Sequence, residues 1–224
     1  EKLAWLRDTV AENACDAILI SALDEVAWLL NIRASDIEYN PMAISYLLVG
    51  EDYANWYVLK EEVEDPQSLD TFDVLAQEGI SILPYDSTAL SLAELEDKTL
   101  WLDSASVNAQ LREAVRCRVV LRPSPVAERK EVKDPKEIEW MRECHIRDGL
   151  AMEKFLYWLE RSLAAGKSIS EWDAAVKLGQ YRSEIADYMG DSFETISAYG
   201  KGAALPHYIT PKENAPLLEP HGLY

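Results

Sequence analysis

Between residues 16 and 122 the chain switches hydrophobic period again and again. Runs of consecutive apolar residues alternate with stretches whose apolar residues recur one helical turn apart. DAILIS (16–21), ISYLLVG (44–50), ANWYVLK (54–60), residues 80–83, TLWLD (99–103) and RVVLR (118–122) read as strands. Leu3, Leu6, Val10 and Ala14 mark an opening amphipathic helix, and LDEVAWLLN (23–31) marks a second. Further helices are expected near residues 69–77 and ending near Val115. Strands interleaved with helices mean an α/β domain. Residues 50–53 can join two strands as a hairpin, which makes the sheet mixed.

Pro123 and Pro125 break this pattern, because neither can donate a ladder hydrogen bond and both bias the preceding residue away from helix. The first domain is therefore expected over 1–127 and a second over 128–224. The second opens differently. Asp134-Pro135-Lys136-Glu137 combines a cap, a proline at the first helical position and a capping-box glutamate. Ile138, Met141, His145, Met152, Leu156, Leu159 and Leu163 predict a long helix to about Ala165, closed by Gly166. Ser168 and Glu171 offer a second capping box, opening a helix through Val176 and Tyr181 towards Tyr188. SFETISAYG (192–200) reads as a strand and residues 216–224 as a loop entering another, an incomplete α+β unit.

Charge narrows the partners. Forty acidic residues against 22 basic ones give a formal charge of -18. Such a surface repels nucleic-acid phosphates and anionic lipid, so neither is an expected partner. With 48% hydrophobic and 28% charged residues the composition is that of a globular protein. Cys15, Cys117 and Cys144 are odd in number and lack CxxC spacing, which argues against a disulfide framework and a structural zinc site. Each reads as a small buried hydrophobe. No signal-peptide core and no membrane-length apolar run is seen, and a reducing cytoplasmic setting is expected.

Few side chains advertise chemistry. His145 and Asp148, three apart on the long helix, could share a metal or a hydrogen bond, but no third ligand stands near. A histidine packed beside an acidic neighbour is the simpler reading. Asp24, Glu25 and Asp36 are carboxylates with nothing to fix their separation, and Arg33 near Asp36 reads as a structural ion pair. Gly200 and Gly202 form only a bare GxG, without a phosphate-binding pattern around it. His207 stands out. In GKGAALPHYITP small residues allow close approach of a ligand, and a histidine there can exchange a proton near neutral pH.

Three stretches, in order, carry a family resemblance. LDEVAWLLNIRASDIEYNP (23–41) resembles the second domain of three-domain aminopeptidases P. KDPKEIEWMRECHIRDGLAMEKFLYWLE (133–160) resembles the start of their pita-bread catalytic domain. SFETISAYGKGAALPHY (192–208) resembles the stretch carrying that family's non-ligand active-site histidine. The resemblance implies a creatinase-N-like mixed-sheet domain followed by the first part of a pita-bread domain. It implies hydrolytic removal of an N-terminal residue that precedes proline, with proline-containing peptides as substrates. It implies two divalent metals, commonly manganese, in the intact enzyme. His207 matches the histidine that hydrogen-bonds substrate or intermediate and helps move protons.

The departures are equally specific. The family's five metal ligands begin in a DSG...DGTTD-like stretch expected after LLEPHGLY (217–224), so no metal or cofactor ligand is assigned to a residue of this chain. The chain alone is therefore expected to be inactive. The family's usual first domain is not matched either, and Lys201-Gly202 stands where many relatives have Pro-Asn. A half-built pita-bread domain should expose apolar surface around Phe193 and Ile196, inviting self-association or docking on the missing catalytic half. Two rival readings are a non-catalytic pita-bread protein-binding module and a prolidase-like dipeptidase.

Overall fold

The computed structural model describes residues 1–59 and 69–224, which form two compact units, Glu1–Val132 and Lys133–Tyr224. In the first unit the apolar runs become six strands: β1 (Ala17–Ile20), β2 (Ser45–Gly50), β3 (Ala54–Val58), β4 (Ile80–Pro84), β5 (Thr99–Leu102) and β6 (Arg118–Leu121). Their order in the sheet is β4-β3-β2-β1-β5-β6. β2 runs antiparallel to both β1 and β3, while β3–β4, β1–β5 and β5–β6 are parallel. The mixed sheet expected from the hairpin is thus present. The strand anticipated through Lys60 runs to Val58, and Lys60 lies outside the described residues. The Tyr53 ring packs directly over Gly50 at the turn, where a Cβ would lie 2.1 Å from it and displace the ring.

Helices cover both faces. α1 (Lys2–Glu12), α2 (Leu23–Leu30) and α3 (Leu69–Gln77) contribute Leu6, Val10, Val26, Leu29, Phe72 and Leu75 to one core, against Ile18, Ile20, Leu47, Val49 and Trp56. α4 (Thr88–Ala93) and α5 (Ala109–Ala114) place Leu92 and Leu111 in the other, against Leu19, Leu48, Tyr57, Leu100 and Leu102. Because alternate residues of a strand face opposite ways, burial on both sides makes the central strands near-continuous apolar runs, as in Ala17–Ile20 and residues 46–49.

The proline break lies inside the first compact unit. Ser124 caps, and Pro125 opens, a further helix, α6 (Pro125–Glu131). Proline suits a first helical position, where its missing N–H would be unused anyway. Val126 is fully buried in the first core, and the Ser124 hydroxyl donates to buried Glu25. The first unit accordingly ends at Val132, five residues beyond the sequence-based limit of 127.

Glu25, Asp24 and Asp36 go separate ways. Asp24 pairs with Lys130, and Asp36 accepts from the Ile44 amide at 2.7 Å. Arg33 donates to the Ile32 carbonyl, so the expected Arg33–Asp36 ion pair does not form. Burial pushes the Glu25 carboxyl above its usual range more than the Ser124 hydroxyl pulls it down; Asp24 and Asp103 add to the rise and Lys130 opposes it. The folded state therefore keeps this proton at a pH where the unfolded chain has lost it. Stability is lost as pH climbs from the ordinary carboxylate range through the raised folded value. Glu25→Gln should consequently be more stable than the parent at neutral pH, with the gap closing in acid. Urea midpoints at the two pH values test this, and an equal gap at both would remove ionisation as the cause.

The second unit starts with α7 (Pro135–Ala164), whose capping box joins Asp134 and Glu137. Its buried residues are Ala151, Phe155, Leu159 and Ser162. Leu156, expected on the buried stripe, is exposed, because the packed face is rotated towards α8 (Glu171–Ser183) and begins only at mid-helix. The α8 capping box uses Ser170 and Asp173 rather than Ser168 and Glu171. Phe155, Leu159, Ile169, Ala174, Leu178 and Leu218 form the small core. Residues 192–200 do not form a strand. A strand needs a ladder partner, and the ladder contact here is a single bridge, Ser170 to Leu217.

Candidate active site

The segment from Ser197 to Tyr208 is held by side chains instead of a sheet. The Ser197 amide donates to Thr210 Oγ1 at 2.9 Å, and the Ser197 hydroxyl donates to the Glu171 carbonyl at 2.6 Å. The Tyr199 amide donates to Glu171 Oε1 and the Tyr208 hydroxyl to Glu171 Oε2, each at 2.6 Å. Further along, the Tyr199 hydroxyl donates to the His221 carbonyl, and the Gly200 amide to the Leu223 carbonyl. The carboxylate bond raises the Tyr208 phenol above its ordinary range, because ionising the phenol would place two anions together.

His207 sits at the end of this segment, next to the anchored Tyr208. It is exposed and makes no hydrogen bond or ion pair with the described residues. Its φ is 55°, in the left-handed region that a non-glycine residue enters at a cost of about 1–2 kcal/mol. Gly200, with φ 57°, supplies the other left-handed turn of the loop. The outcome is an exposed imidazole displayed beside the tethered Tyr208.

His145 and Asp148 are not brought together. His145 Nδ1 lies 2.8 Å from the Met141 carbonyl of its own helix. Asp148 accepts two bonds from Arg182, at 2.7 and 3.2 Å, and this bidentate carboxylate further raises the guanidinium pKa. The two lie beside a cavity of about 630 Å³ lined by Trp140, Ile185, Tyr188, Met189 and Asp191, in which Arg147 is engaged by Glu143 and Asp187. Cys144 is exposed, not buried as expected, whereas Cys15 is buried. Among the described residues no group of three or more His, Cys, Asp or Glu gathers as a metal-holding set. With Asp148 occupied by arginine and His145 turned to its own backbone, the donors present do not fit a divalent metal pair. None of the helices among the described residues is long and apolar enough to cross a membrane.

Residues 1–137 match the creatinase/prolidase N-terminal domain. The chain belongs to that family. Residues 139–224 of this creatinase/prolidase-family chain match metallopeptidase family M24. An uncharacterized peptidase of Schizosaccharomyces pombe is 37% identical over 100% of the chain, which covers 37% of that protein. A probable Xaa-Pro aminopeptidase P of Neurospora crassa is also 37% identical, again over the whole chain and 34% of the relative. Among solved structures, the X-prolyl aminopeptidase from Caenorhabditis elegans superposes with a TM-score of 0.87 and 34% identity. That match covers 96% of this chain and 35% of the worm protein, which is described as a cytosolic enzyme with a di-nuclear active site. The family chain thus spans little more than a third of the relatives it matches.

Sequence reasoning marked Glu171 as nothing beyond a cap. Its partners Tyr199 and Tyr208 lie 28 and 37 residues away, so no local spacing marks it.

Proposed function

We propose that the chain is the creatinase-N-like unit and opening part of the catalytic unit of an Xaa-Pro aminopeptidase, a hydrolase that releases an N-terminal residue preceding proline. The match to aminopeptidases over the whole chain supports this reading. So does the exposed, solvent-facing His207 on an anchored loop. His207 is the group of this chain that meets substrate: an imidazole nitrogen can donate to or accept from the scissile amide. Two divalent ions, manganese by the family resemblance, would polarise the carbonyl and supply hydroxide when bound. No group of His, Cys, Asp or Glu among the described residues gathers to hold them.

The working compartment is the cytoplasm. Phe193 and Ile196, 66% and 55% exposed, lie in the apolar surface on which the rest of the catalytic unit seats. Without that cover the 224-residue chain should self-associate, which light scattering after size exclusion reads directly; a clean monomer would count against it.

The deciding assay is hydrolysis of an Arg-Pro-Pro peptide with added manganese, by the full-length peptidase and by the 224-residue chain. Release of arginine by the full-length protein alone is the expected result. Equal cleavage of a peptide without proline at the second position would sink the substrate assignment. Activity in the shorter chain would overturn the placement of the metal ligands.

A further inference from the structure

Glu171 carries more than a helix start. It is 0% exposed, on the same helix as buried Ala174 and Leu178. Sequestering a carboxylate from water is costly unless its lone pairs are filled. Both oxygens are filled here, and both by one loop: Oε1 by the Tyr199 amide, Oε2 by the Tyr208 hydroxyl. The Glu171 backbone adds two more ties, its amide donating to the Pro216 carbonyl and its carbonyl accepting from Ser197. Charge-assisted bonds of this kind are the stronger class, and the first turn of α8 favours a negative group.

The clamped loop has no spare room. A Cβ on Gly202 would come within 3.1 Å of the Tyr208 ring and 3.5 Å of Glu171 Oε1. His207 keeps its left-handed backbone immediately before the tethered ring of Tyr208. A strained residue persists only where its surroundings over-determine it. The tether that does so ends on Glu171.

We propose that Glu171 is a positioning residue that acts through Tyr199 and Tyr208 to hold the His207 imidazole in its left-handed, solvent-facing pose. The inference rests on the reading of His207 as the substrate-facing histidine. Removing the tether lets residue 207 relax towards the ordinary backbone region, which swings the imidazole away.

Two variants test it: Glu171→Gln, which keeps shape and loses charge, and Tyr208→Phe, which removes one arm from a half-buried ring. The chain has three histidines, so the ring protons of His207 can be followed by NMR in the 224-residue chain, with His145 as internal reference. Both variants should shift or broaden the His207 signal and leave His145 in place. In the full-length peptidase, Tyr208→Phe should lower kcat on the order of 10-fold with a smaller change in KM, as displaced catalytic groups do. An unchanged His207 signal in both folded variants overturns the proposal; if Glu171→Gln fails to fold, Tyr208→Phe decides alone. Should the signal move while His207→Ala leaves peptide hydrolysis intact, the positioning stands and the role given to His207 falls.

Discussion

Leu47→Ala should destabilise the first unit by about 2–5 kcal/mol, and Leu48→Ala by a similar amount. The two residues are adjacent on β2, so their side chains point to opposite faces of the sheet. In a sheet with one wet face, one of the pair would be cheap to truncate. Here both are closed off. Leu47 is 0% exposed, opposite Ile20 on β1 and Trp56 on β3. Leu48, opposite Leu19 and Asn55, is buried in the second core with Tyr57 and Leu102. Each truncation removes buried methyl groups and leaves a cavity that neighbouring strands, fixed by hydrogen bonds on both sides, cannot close. Ile82 on edge strand β4 is only half-buried, and its truncation should cost clearly less. Urea midpoints at constant slope measure the series. If either leucine cost under about 1 kcal/mol, one helical layer would not be in place.

These same two-sided strands explain why the first unit was readable in advance. Burial on both faces favours apolar residues at successive positions, so AILI of β1, YLLV of β2 and LWL of β5 show as uninterrupted runs. Proline was harder, since Pro125 can end one element or begin another. What decides is Ser124, whose hydroxyl caps the helix while its amide bonds Asp103, and Asp103 lies 21 residues away. In the second unit, Ser168–Glu171 and Ser170–Asp173 both satisfy a capping-box spacing. The choice is made by the Leu218 amide bonding Ile169 and the Glu171 amide bonding Pro216, contacts that no local pattern contains. Residues 192–200 failed as a strand for a related reason. Strand formation depends on a pairing partner, and the Ser197 and Tyr199 amides are answered by Thr210 and Glu171 side chains instead. His207 could be picked out by its company of small residues, whereas its backbone conformation could not, because a left-handed residue other than glycine is set by its surroundings.

That conformation leads to the prediction with the widest consequence for function. His207→Ala should reduce kcat/KM of the full-length peptidase on Arg-Pro-Pro by roughly 10²–10³-fold, the loss typical of removing one proton-transfer group or one hydrogen-bond donor to a developing charge. Its stability should nevertheless stay within about 0.5 kcal/mol of the parent, because the imidazole is exposed and has no partner to lose among the described residues. Glycine at 207 sharpens the contrast. It enters the left-handed region freely, which relieves strain, while its greater freedom in the unfolded chain offsets part of that gain. His207→Gly should therefore be at least as stable as His207→Ala and equally poor in hydrolysis. A residue kept for structure would show the reverse, with activity falling only in step with the urea midpoint. If both substitutions left kcat/KM within a few-fold of the parent, proton transfer and substrate contact would have to come from another side chain, and the strain at 207 would lose its functional explanation.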